Sequence, residues 1–225
     1  MPFQQPFRAT LKREFKRFSR NRNHLIQPLV FFALVVTLTA LAIGPNSETF
    51  ANIAPASAWI AVLLALTLNL HALFTQDFDD GSLEQALLNG KSLSVLVSGK
   101  MFAHWLAVAL PQIFSAALFM FIIGTNSTVT MTLCLSLLIG TPVLVCLGSI
   151  AAALTVGTRS SGTLVALLAL PLYMPVLIFG TAAALNASSG VSSAAELYFL
   201  GGLSVFAITL APVGCATALR ARLAV

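Results

Sequence analysis

Residues 77–85 read DFDDGSLEQ, and this stretch holds four of the seven acidic residues in a chain of 225. The sequence on both sides is apolar: 58% of all residues are hydrophobic and only 8% are charged. An ionised carboxylate within hydrocarbon costs several kcal/mol, so the stretch must stand in water between two membrane-embedded segments. GSLEQ also opens like a helix. Ser82 is placed to cap free amides, and Gln85, three residues on, is placed to close a capping box. The reading is a short surface helix, rimmed with acids, that docks a soluble partner.

Working outward, apolar runs of about 18 or more residues are long enough to cross a bilayer as helices. Six are present: 25–43, 54–74, 101–123, 130–156, 163–185 and 197–219. The expected fold is therefore an all-α integral membrane protein of one domain, 1–225, with six transmembrane helices and a loop segment 77–90 between spans two and three. The first run is too long for the core of a signal peptide, and small-residue cleavage sites (Ala54, Ala56, Ala58) come only inside the next span, so it reads as a retained span. With six spans, all twelve Lys and Arg fall on one side, from Arg8 through Arg22, then Lys91, Lys100, Arg159, Arg220 and Arg222. The loops near 44–53, 124–129 and 186–196 carry only Glu48 and Glu196. The positive-inside rule puts both termini in the cytoplasm.

Before the first span, Phe7, Leu11, Phe15 and Phe18 share a helical stripe with basic residues around it. Residues 7–23 therefore read as an amphipathic helix lying in the membrane interface. The net charge of +5 is attraction to anionic lipid, not to nucleic acid, since no reading module accompanies it. Each span holds or begins near a proline (Pro28, Pro55, Pro111, Pro142, Pro171 with Pro175, Pro212), which suits a bundle that changes shape. Small residues at Gly148, Ala152, Gly201, Gly202 and Ser204 are expected to let helices pack closely.

Several chemistries are excluded by what the chain lacks. No Asp, Glu or Arg lies near the middle of a span, which argues against proton relays, ion-coupled carriers and voltage sensors. No hydrolase motif is present, so no catalytic residues and no metal site are expected. Gly90-Lys91-Ser92 imitates the end of a phosphate loop, but Gln85 stands where its first glycine belongs. The acids of DFDDG do not have calcium-loop spacing. Cys134, Cys146 and Cys215 lie within spans and read as small packing residues. Of His24, His71 and His104, the last is the one candidate for ligating haem iron. Lys100, His104 and Trp105 together read first as an interface anchor, with ligation as the alternative.

A basic amphipathic helix, six spans and an Asp-Gly-Ser-Leu-Glu-Gln helix after span two resemble the ABC-2 class of transporter permeases. The chain resembles, more narrowly, the CcmB (heme exporter protein B) family of bacterial cytochrome c maturation. The resemblance rests on FFALVVTL (31–38), IGP (43–45), IAP (53–55), LFTQDFDDGSLEQ (73–85), KMFAHW (100–105), LP (110–111), IGTP (139–142), ALTVGTR (153–159) and LPLYMPVLIFG (170–180). Departures fall at NGKSLS (89–94), where a Pro-rich segment is usual, and at Ser160-Ser161-Gly162.

The resemblance implies a non-catalytic subunit in the bacterial inner membrane, with ATP hydrolysis on a separate CcmA ATPase. It further implies CcmC and CcmD as membrane neighbours, CcmE as periplasmic haem chaperone, and haem as cargo, with no intrinsic cofactor. Residues 77–88 would transmit the ATPase stroke. In that role Asp77, Asp79, Asp80 and Glu84 present charge, and Leu83 and Leu87 an apolar key. Phe78, Gly81, Ser82 and Gln85 would complete the segment. The alternatives are an ABC-2 exporter of another hydrophobic substrate and a passive membrane scaffold.

Overall fold

A computed structural model describes residues 4–20, 23–44, 48–88, 92–158 and 160–223. Arg22, Lys91 and Arg159 lie outside these residues, as do the side chains of Phe15, Phe18, His24 and Leu87. The described chain is helical throughout: α1 (Gln4–Arg20), α2 (Asn23–Ile43), α3 (Glu48–Leu70), α4 (Ala72–Asp79) and α5 (Ser82–Leu88) are followed by α6 (Leu93–His104). A π-helical turn, Trp105–Ala109, leads into α7 (Leu110–Ile123), and α8 (Ser127–Thr155), α9 (Ser161–Ser188) and α10 (Ala194–Leu223) complete the bundle.

Six helical stretches are long and apolar enough to cross a membrane, and this is a multi-pass membrane protein. Two extend well beyond the apolar runs that announced them. The second continues from Thr49 to Asp79, and the third begins at Leu93. Apolar runs measure the depth of lipid, whereas a helix continues into water as long as its backbone bonds are satisfied.

The ends are set locally. Gly124, in the left-handed region at φ 76°, stops α7, and the Asn126 side chain accepts from the Thr128 amide at 3.1 Å to start α8. Inside the spans, hydroxyls such as Thr67 and Ser149 donate to the carbonyl one turn back, so they bring no unpaired polar group into lipid. Pro111 stands directly after the π-helical turn, where its missing amide falls in an already irregular stretch of ladder.

Helix α8 is the central pillar, packed on α9, α10 and α3. Trp59 of α3 is fully buried and enters the space left by two glycines: a Cβ on Gly140 would lie 2.6 Å from its ring, and one on Gly180 2.4 Å. Its indole N–H donates to Ser136 Oγ at 3.0 Å. Gly148 likewise makes room for Leu70 and the Tyr173 hydroxyl. Gly201 and Gly202 do not serve in this way, because no atom would come within 4 Å of an added Cβ. Their side of α10 is open surface, and of the three small residues on α10 only Ser204 is buried.

Candidate functional site

The acidic stretch is two pieces, not one. Asp77, Phe78 and Asp79 finish α4, which continues span two past a bend at His71. Asp80 and Gly81 make the turn, with Gly81 at φ 69°, and Ser82 opens α5. Capping differs from expectation. The Asp80 carboxylate accepts the Ser82 amide at 2.9 Å, so Asp80 is the cap, and the Ser82 hydroxyl oxygen lies 3.3 Å from the Asp77 carbonyl oxygen. Asp80 and Ser82 are both competent caps, and the carboxylate two residues before Ser82 closes the tighter turn. Hydrogen bonding from Ser82, hydroxyl first and amide second, holds the Asp80 carboxyl below its ordinary value; Arg17 and Arg13 add to this.

The segment is also not uniformly outward. Asp79, Asp80, Glu84 and Gln85 are exposed, whereas Asp77 is 2% exposed and Leu83 1%. Leu83 therefore belongs to the apolar core of the bundle and is not a key offered to a partner. Phe78 is half-buried, its ring against the turn after α8, where a Cβ on Gly157 would lie 2.9 Å away. Gly157 sits at φ 79°, so both its conformation and its bareness serve this contact.

Asp77 turns inward because its charge is met there. Lys100, with 0% exposure, approaches Asp77 Oδ2 at 2.5 Å and Glu14 Oε1 at 3.1 Å, and donates to the Leu73 carbonyl at 3.0 Å. Arg13 donates to Asp77 Oδ2 at 2.9 Å and Arg17 to Oδ1 at 3.2 Å. Glu14 is itself buried, with Arg17 at 3.6 Å and Arg13 at 3.8 Å. Three cations and two carboxylates thus join α1, α4 and α6 at the basic end of the bundle. A buried charge this well paired is tolerated; removing one partner is typically destabilising by about 3–5 kcal/mol.

Lys100 is consequently an internal hub and not an interface anchor. Sequence reasoning missed Glu14, and it read Lys100 as an anchor where it is a hub. Glu14 is the one acid among the first 24 residues, in a helix otherwise basic, and Lys100 stands alone at the edge of an apolar run. A lone charge of each sign in the wrong surroundings was the available signal.

Helix α1 packs along α6. Thr10 would touch a Cβ on Gly99 at 3.2 Å, and Phe7 lies 6.1 Å from Phe102, centroid to centroid. His104 is buried at 3% exposure, and Trp105 beside it donates to Thr141 Oγ1 at 3.0 Å. Both point into the bundle, which removes the anchor reading for this pair. At the far end of α8, Arg222 donates to the Leu154 carbonyl through two nitrogens, at 2.9 and 2.6 Å, tying the α10 terminus to the same end of the molecule. No group of three or more potential metal ligands occurs among the described residues.

This arrangement is a rigidly rooted elbow that shows carboxylates to solvent, and proteins of known family share its sequence over nearly the whole chain. The family model described as CcmB protein matches residues 5–222. A protein of Pseudomonas aeruginosa named Heme exporter protein B is 44% identical over 95% of this chain and 96% of its own. Its namesakes in Haemophilus influenzae and Rhodobacter capsulatus are 42% and 38% identical, over 95% and 96% of this chain and 97% and 99% of theirs. With six membrane-crossing helices and a match of this extent, the chain belongs to the CcmB family.

Proposed function

We propose that this chain is the permease subunit of an ABC transporter complex that serves c-type cytochrome biogenesis. It exports haem, or drives release of the haem-loaded chaperone to the periplasm. Its place is the bacterial inner membrane, with both termini and the α4–α5 elbow in the cytoplasm, in keeping with the one-sided Lys and Arg. ATP is hydrolysed on a separate CcmA subunit, CcmC and CcmD are neighbours in the membrane, and CcmE is the periplasmic haem chaperone.

The observation that carries the reading is the division of labour within the acidic stretch. Asp79, Asp80 and Glu84 are exposed, while Asp77 and Phe78 root the elbow in the bundle. A push on the exposed face therefore reaches α1, α6 and the end of α8 without slack. The test is affinity purification in mild detergent. The wild-type chain should bring down an ATPase subunit. Asp79→Lys with Asp80→Lys should insert normally and lose that subunit, because like-charge contacts at an interface cost several kcal/mol. A double variant that keeps the ATPase and matures cytochromes at the wild-type rate would remove the docking role.

A further inference from the structure

An apolar groove of about 400 Å³ lies between α1, span three, α8 and α10, and takes in none of the ion-cluster residues. Its floor is Met101, Val145 and Cys146, all nearly sealed from solvent. Phe102 and Ile208, 44% and 52% exposed, stand at its open side, and Phe7 lines it from α1. Both rim residues lie within membrane-crossing stretches, so the groove opens onto hydrocarbon.

The strong donors along it are already engaged. The Ser98 hydroxyl donates to the Ser94 carbonyl at 2.7 Å, and the Trp105 indole to Thr141 at 3.0 Å. What remains is apolar apart from a thiol, a weak donor, so the occupant is hydrocarbon. Size decides which kind. A helix is about 10–12 Å across and rises about 5.4 Å per turn, so this volume holds only about one turn of a partner's span. A thin, flexible chain fits instead. From Ser98 to Trp105 span three rises about 10 Å, most of the roughly 15 Å of hydrocarbon in one leaflet.

Charge selects the lipid that supplies the chain. Glu14 is the one acid against seven Lys and Arg in the first 24 residues, and it is buried against Lys100. Arg13 and Arg17 are committed to Asp77. Lys12 is exposed, with no acid within ion-pair distance among the described residues. It follows Phe7 by five residues, about 8 Å along α1. We infer that the groove binds one acyl chain of an anionic phospholipid whose phosphate is held at the basic flank of α1 by Lys12. Helix α1 packs on α6, and the seated chain extends its hold to α8 and α10.

The inference is independent of the haem-export reading, and Trp105 supplies its probe. The chain has two tryptophans, and Trp59 is 0% exposed with its ring against Gly140 and Gly180. The difference in fluorescence between wild type and Trp105→Phe therefore reports on the groove. The purified full chain is placed in nanodiscs with phosphatidylglycerol or phosphatidylcholine whose acyl chains carry bromine, which quenches an indole on contact. Wild type should be half-quenched at about fivefold lower mole fraction of the brominated phosphatidylglycerol, the scale of one basic residue near an anionic surface. Lys12→Glu should erase that preference and leave the quenching itself. Cys146→Phe, which fills the floor, should reduce quenching by both lipids. Ile208→Phe, at the exposed rim, makes the same test if Cys146→Phe fails to fold. Equal quenching of wild type by the two lipids means passing contact with bulk lipid and overturns the inference. So does a preference that survives in Lys12→Glu, or quenching that the filling variants leave unchanged. Wild type quenched by neither lipid overturns it as well and gives the groove to a protein occupant.

Discussion

Lys100 decides how the basic end of the bundle is held, and its two acids are not equivalent. Asp77 keeps Arg13 at 2.9 Å and Arg17 at 3.2 Å when Lys100 is removed, but Glu14 keeps only contacts of 3.6 and 3.8 Å. Lys100→Met should therefore destabilise by about 3–5 kcal/mol, most of it from Glu14 left buried and poorly paired. Adding Glu14→Gln should recover more of the loss than adding Asp77→Asn. Thermal melts of the three variants in detergent check this, and equal recovery would mean the cluster shares its charge more evenly than the distances indicate. Asp80 gives a pH prediction with a definite sign. Its folded value is lowered, so its contribution is full above the ordinary carboxylate value of about 3.9 and is lost as pH falls through the folded value. Hydrogen exchange of the α5 amides should be pH-independent in protection from neutrality down to that ordinary value and weaken only below it. None of this pairing was legible in the sequence, because Glu14, Asp77 and Lys100 lie far apart along the chain and charge alone does not say which acid turns inward.

At the scale of elements, the Phe78 ring against Gly157 joins the elbow to the turn that follows α8. Gly157→Ala places a methyl 2.9 Å from the Phe78 ring and strains a backbone at φ 79°. The left-handed strain alone is about 1–2 kcal/mol for a residue with a side chain. The variant should insert, retain α1 and α6 packing, and show reduced co-purification of the ATPase; Phe78→Ala in the same background should not reduce it further, since both act at one contact. Gly99→Leu should act elsewhere, lifting α1 from α6 at Thr10, and is best read as faster proteolysis after the basic residues of α1. Helices were legible here because hydropathy runs and caps are local signals. Their contacts were not: the resemblance implies an apolar key at Leu83, and only the direction of α5 relative to the core puts that side chain inside. The Ser82 cap was misassigned for a similar reason, since Asp80 and Ser82 are both competent caps and the bend at Gly81 chooses between them.

For the whole molecule, the six spans followed from apolar length, a pattern that the bilayer imposes on any sequence, and one-sided basic charge carries the proposed orientation. The proposed orientation has a direct test. In a chain whose three native cysteines are replaced, single cysteines at Ser127 and Ser189 should react with an impermeant thiol reagent in intact cells, and those at Asp80 and Ser160 should not. Reaction at position 80 would invert the assignment. Which polar groups within a span find a partner was beyond reach of the same patterns. A glutamine within an apolar run carries no sign of whether a neighbouring span will answer it, and the π-helical turn that sets its level has no marker in sequence beyond the following Pro111.

The Trp59 wedge also imposes an order on synthesis. Span two leaves the ribosome well before α8 and α9, yet its indole has its hydrogen-bond acceptor on Ser136 and its space at Gly140 and Gly180. Until those helices arrive, the ring has no seat in the hydrocarbon and is drawn to the headgroup level, where an indole is at ease. The second span should therefore sit shallow or tilted at first and reach full depth only once the fourth and fifth close around it. A nascent chain cut short before residue 180 lacks the second half of that seat, so its second span should sit nearer the headgroups than in the full chain.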